Sequence, residues 1–181
     1  QVIYLQVIWA IGLSMLALSA LLWLPRPWLV LLGLLIIGGH NLLDPLHFPV
    51  GSPMHLPWAI LHDRGWLEVS DSLRLRTSYP LLPWIGVIAL GYAAGPWFGR
   101  NADAERRQHN LANWGRAALL LFVLLRLING YGEQPWVVGE DGLRTLMSLL
   151  NITKYPPSLL FLCLTLGTGL LLLRHFERRQ D

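Results

Sequence analysis

In "IIGGHNLLDPLH", residues 36–47, a histidine, an asparagine and an aspartate close an otherwise apolar run. His40 and Asp44 are four apart and His47 follows three later, a spacing that would bring all three to one helical face. Pro45 interrupts it. Proline disfavours helical geometry at the preceding residue, so the helix is expected to end at Asp44, leaving His47 in the following loop. Three chemistries are open to this group. Asn41 and Asp44 can satisfy helix-end amides and interhelical hydrogen bonds. With His40 they can line a polar pocket for a substrate or acyl donor, because ionisable groups at membrane depth face a cavity or the bundle interior. His40, Asp44 and His47 are also zinc-ligand types, but they straddle the helix break, so no metal is expected.

Arg126 is the second residue that calls for chemistry. It lies ten positions into the run that starts at Ala117, and an arginine at the bilayer centre costs about 2.5–3.5 kcal/mol. Three outlets are open: a buried carboxylate, snorkelling to the surface, or the phosphate or carboxylate of a ligand. Asn129 extends the same polar stripe. In "NITKYPPS" the prolines open a helix, and Lys154 and Tyr155 read as interfacial anchors that also border the candidate donor site. The lone Cys163 sits in an apolar run and reads as a packing residue. The basic connector from Arg100 to Arg116 has only Trp114 as a stacking aromatic, which argues against nucleic acid.

The elements that must hold these residues are apolar. Hydrophobic residues make up 54% of the 181, charged residues 14%, and mean hydropathy is +0.45, values of a membrane protein. The expected fold is all-α: a polytopic transmembrane bundle, one domain, with spans at about 2–24, 28–44, 80–99, 116–131 and 156–174 and an interfacial helix or loop in "MHLPWAILHDRGWLEV". Gly91 and Gly95 form a GxxxG-type pair suited to close helix approach. Of the 14 basic residues, eight fall on one side of this five-span path and five on the other. The positive-inside rule then puts the start outside and the C-terminus in the cytoplasm. The polar end of "GGHNLLD" and "NGYGEQPW" share the outer face. Because the chain opens on Gln1 rather than Met, it is expected to be a C-terminal fragment.

The strings "LQVIWAIGLSMLAL", "HNLLDPLHFP", "LRTSYPLLPWIGVIALGYAAGPWF", "LLRLINGYG" and above all "LNITKYPPSLLFLCLTLG" resemble the C-terminal half of bacterial membrane proteins grouped with the heparan-alpha-glucosaminide N-acetyltransferase catalytic region. The resemblance implies a transmembrane acyltransferase in the bacterial inner membrane, with acetyl-CoA as co-substrate and a glycan or similar acceptor. It also implies that the catalytic base lies in upstream helices outside this chain. His40 is then a candidate catalytic residue, while Asn41, Asp44, Arg126, Asn129, Lys154 and Tyr155 would line or brace the substrate and donor site. The partners expected are membrane lipid, the missing N-terminal helices or partner membrane subunits, and a possible second copy of the chain. A non-catalytic transmembrane subunit of a larger complex is the alternative.

Overall fold

The computed structural model describes residues 2–70 and 73–179. The chain forms two compact units, residues 1–93 and 94–181.

The first unit starts with strand β1 (Val2–Leu5) and helices α1 (Val7–Leu21) and α2 (Arg26–Gly39), the last continued by a 3-10 turn, His40–Leu43. Pro27 stands in the first turn of α2, where its missing N–H costs nothing. The short helix α3 (His55–Leu61) follows, then strands β2 (Gly65–Ser70) and β3 (Leu73–Thr77), then α4 (Leu82–Ala94). Helices α2 and α4 cross where glycine meets glycine. A Cβ on Gly33 would lie 3.1 Å from the Gly86 carbonyl oxygen, and one on Gly86 would lie 3.1 Å from that of Gly33. The Arg26 Nε locks the same helix pair, donating to the Ala93 carbonyl at 2.7 Å.

The second unit has a 3-10 turn, Gly95–Phe98, and helices α5 (Ala104–Ile128), α6 (Gly142–Leu150) and α7 (Leu159–Glu177). Asp103 caps α5 by accepting from the Glu105 and Arg106 amides, and Asn129 ends it in a left-handed conformation, φ 55°. Helices α5 and α7 run antiparallel and repeat the glycine crossing: a Cβ on Gly115 or on Gly167 would lie 3.1 Å from the other's carbonyl oxygen. At one end Glu177 binds the Arg107 Nε at 3.1 Å and the Gln108 Nε2 at 2.8 Å.

Several expectations change. The fold is mostly helical but not all-α, because β1, β3 and β2 form a mixed sheet in that order, β1 parallel and β2 antiparallel to β3. Val2–Leu5, expected inside the first span, pairs instead with Arg74–Thr77. The alternation of "LRLRT" has the period of a strand, and β-branched and aromatic residues in "VIYL" suit its neighbour. Among the described residues, three helices are long and apolar enough to cross a membrane: Arg26–Leu43, Ala104–Ile128 and Leu159–Glu177. Val7–Leu21 and Leu82–Phe98 are apolar but shorter, so the five expected spans include three that meet the length. The polar connector before residue 116 is helix, since Asp103 caps α5 well ahead of the apolar stretch and the helix starts at Ala104. A Cβ on Gly91 or Gly95 would meet nothing within 4 Å; the close approach falls at Gly86.

Candidate functional site

Each unit carries a polar cluster that includes residues singled out from the sequence. In the first, α2 ends at the paired Gly38 and Gly39 and tightens into the 3-10 turn, with Asp44 as its C-cap before Pro45. His40 is 2% exposed, and its Nδ1 donates to the Ile37 carbonyl at 2.9 Å, closing the helix end. The Asn41 Nδ2 donates to Asp44 Oδ2 at 2.9 Å. The chain then folds over α3. The Trp58 indole donates to the Leu46 carbonyl at 2.7 Å and the His55 Nδ1 to that of Phe48 at 2.9 Å. Both neighbours of His47 are thereby fixed.

His47 is presented from this pinned loop with its side chain 70% exposed, and its Nδ1 lies 3.1 Å from Asp63 Oδ2. Behind Asp63 stands His62, buried at the end of α3 and stacked on Trp58 at 5.1 Å. The His62 Nε2 donates to the His40 carbonyl at 2.9 Å and lies 3.3 Å from Asp44 Oδ1. Its Nδ1 sits 3.5 Å from Asp63 Oδ1, without hydrogen-bond alignment. The result is an alternating row: Asp44, His62, Asp63, His47. A carboxylate on Nδ1 fixes the imidazole tautomer that leaves Nε2 as an acceptor, the geometry of a general base. His40, Asp44 and His47 hold different partners, and among the described residues no group of His, Cys, Asp and Glu is arranged to hold a metal ion.

The second cluster is built on Arg126, 3% exposed. Its Nε donates to the Leu149 carbonyl at 2.6 Å, Nη1 to Gln134 at 3.0 Å, and Nη2 to Ser148 and Asn151 at 2.7 and 2.8 Å. Arg126 therefore caps the C-terminal end of α6, and its partners are main-chain carbonyls rather than a carboxylate. The Asn129 side chain is spent on Trp136, donating to its carbonyl and accepting from its amide. Glu133 ties down the loop before α7, accepting from the Thr153 amide and hydroxyl, the Ser158 hydroxyl and the Gln134 amide. On that loop the Lys154 ammonium lies 5.0 Å over the Tyr155 ring.

Of the residues expected from sequence, His40, Asn41 and Asp44 come together, as do Arg126 and Asn129, in separate units. Sequence reasoning missed His62, Asp63 and Glu133. The adjacent acid and imidazole of "LHDR" were the available signal for the first two. An open apolar groove of about 570 Å³ between α1 and α4, lined by Val7, Ile11, Leu18, Val87 and Ile88 among others, does not include the cluster.

The family model for "Heparan-alpha-glucosaminide N-acetyltransferase, catalytic" matches residues 1–126. No curated protein and no solved structure matches the chain. The whole of the first cluster lies inside the match, which ends at Arg126; Asn129, Glu133 and "NITKYPPSLLF" lie beyond it. With apolar helices long enough to cross a bilayer and a match over more than half its length, the chain is an integral membrane protein that belongs to the heparan-alpha-glucosaminide N-acetyltransferase catalytic family.

Proposed function

We propose that this protein transfers an acyl group, most simply acetyl from acetyl-CoA, to a glycan or similar acceptor in the bacterial inner membrane, and that the first cluster activates the acceptor. The observation that carries the reading is the exposed His47 held through Nδ1 by Asp63 at 3.1 Å. In this arrangement the His47 Nε2 takes the proton from the acceptor hydroxyl or amine as its oxygen or nitrogen attacks the acyl carbonyl; the acyl–sulfur bond then breaks and CoA leaves as its thiolate, the proton staying on His47 until the products depart. Asp63 stabilises the imidazolium that results. Behind the dyad, His62 is held by the His40 carbonyl and lies beside Asp44, which Asn41 orients. The two carboxylates suit a hydroxyl or an amine and repel the donor's phosphates, so the cluster fits the acceptor rather than CoA. The base that the resemblance places upstream would then act with this dyad rather than alone.

Arg126, Asn129 and Glu133 brace the second unit, and Lys154 and Tyr155 sit on the loop they hold. On the five-span path the positive-inside count supports a His47 loop on the outer face, the side on which the acceptor would be met. The non-catalytic subunit reading has one observation in its favour, the wide exposed apolar faces of α1 and α5, which lipid also explains.

Replacing His47 by Ala in the full-length protein, reconstituted in vesicles and supplied with labelled acetyl-CoA and acceptor, tests the proposal. Acyl transfer is expected to fall by a factor of about 10²–10⁴ with normal expression. An unchanged rate refutes the dyad.

A further inference from the structure

Helix α6 is turned inside out for a protein in water. Leu143, Leu146, Met147 and Leu150 recur at helical spacing and form one stripe, and they are 67%, 51%, 62% and 54% exposed. Its polar side faces the protein. Ser148 Oγ accepts from the Val137 amide at 3.0 Å, and Thr145 Oγ1 accepts from the Gly139 amide at 3.0 Å. Arg126 holds the carbonyls of Ser148, Leu149 and Asn151. These bonds fix the roll of the helix, so the leucine stripe cannot rotate inward without breaking them. Val137 and Val138, on the segment that carries two of the donors, are also largely exposed.

We propose that α6 lies in the membrane–water interface with Leu143, Leu146, Met147 and Leu150 inserted at the headgroup–acyl boundary, anchoring the connection between α5 and α7. What identifies the occupant as lipid is the scaffold to which α6 is tied. Arg126 stands in the last turn of α5, a helix long and apolar enough to span, and the neighbouring residues Val123, Leu124, Leu127 and Ile128 are exposed in the same way. The apolar stripe thus sits at the level where that span reaches its end. The Trp136 indole donates to the Arg126 carbonyl at 2.8 Å, an aromatic at the depth where such rings are enriched. Capping, roll and depth all agree with a short helix lying in the interface plane.

The test uses the full-length protein in lipid vesicles, with native cysteines replaced and a single cysteine introduced as Leu146→Cys, or as Met147→Cys should the first variant fold poorly. Arg144→Cys serves as the comparison. Each is labelled with an environment-sensitive fluorophore. At 146 or 147 the emission is expected to be blue-shifted and to lose most of its intensity to lipids spin-labelled near the headgroup end of the acyl chain, with little loss to iodide. At 144 iodide is expected to quench strongly. Strong iodide quenching at 146 overturns the proposal, and so does protection from both quenchers, which would place a protein segment over the stripe.

Discussion

Asp63 holds His47 by one bond in the first unit and leaves the other ring nitrogen to the exposed side, whereas Arg126 in the second unit gives Nε and both terminal nitrogens to four carbonyls. Glu133 is equally committed, accepting four hydrogen bonds. Both regions spend charged groups in an apolar setting, but the second commits four of the five Arg126 N–H donors and the first commits one ring nitrogen of His47. A charge committed in this way holds chain segments together and has little left to offer a ligand. An imidazole oriented on one side and open on the other can move a proton. The types of residue are similar, and the number of bonds left unmade separates brace from chemistry.

The largest expected effect breaks the first region. Asp63→Asn keeps the shape but removes the charge that stabilises the His47 imidazolium and offers an N–H that can select the wrong tautomer, so acyl transfer should drop at least a hundredfold while the thermal unfolding midpoint in detergent barely moves. The second region should respond in the opposite sense. Arg126→Ala strands four part-buried carbonyls and is expected to destabilise by about 1–3 kcal/mol, seen as a lower midpoint and poor expression. Arg126→Lys should rescue little of this, since one ammonium cannot replace a planar fork. Glu133→Gln retains shape and loses the charge that strengthens its bonds, a loss of about 2 kcal/mol, readable as faster proteolysis near Thr153.

Smaller changes sharpen the comparison within the scaffold. Gly115→Ala puts a Cβ against Leu171 and the Gly167 carbonyl at 2.9–3.1 Å and is expected to cost about 1–3 kcal/mol. Gly91→Ala meets nothing within 4 Å and should leave the midpoint within about 0.5 kcal/mol of the parent.

The apolar helices were legible because hydrocarbon burial writes itself as long uncharged runs. The sheet was not, because Val2–Leu5 and Leu73–Thr77 are far apart in the chain and one of them merges into an apolar run. Helix α6 escaped notice for a related reason: nine residues are too few to span, and the loop around them reads as polar. For Arg126 the sequence states the need for a partner without naming it, because main-chain carbonyls look the same in every sequence. His40 shows the converse. A histidine at the end of an apolar run suggests chemistry, yet its Nδ1 closes its own helix at Ile37. His47, two residues past Pro45, becomes interesting only once α3 brings Asp63 to it from sixteen residues away.

The most direct test of the account is a double-mutant cycle on acyl transfer with His47→Ala, Asp63→Asn and the combined variant, in full-length protein matched for folded amount. If the two residues act as one unit, the double variant should be no slower than His47→Ala alone. Losses that multiply, or a His47→Ala protein that transfers acyl groups at the parental rate, would contradict it.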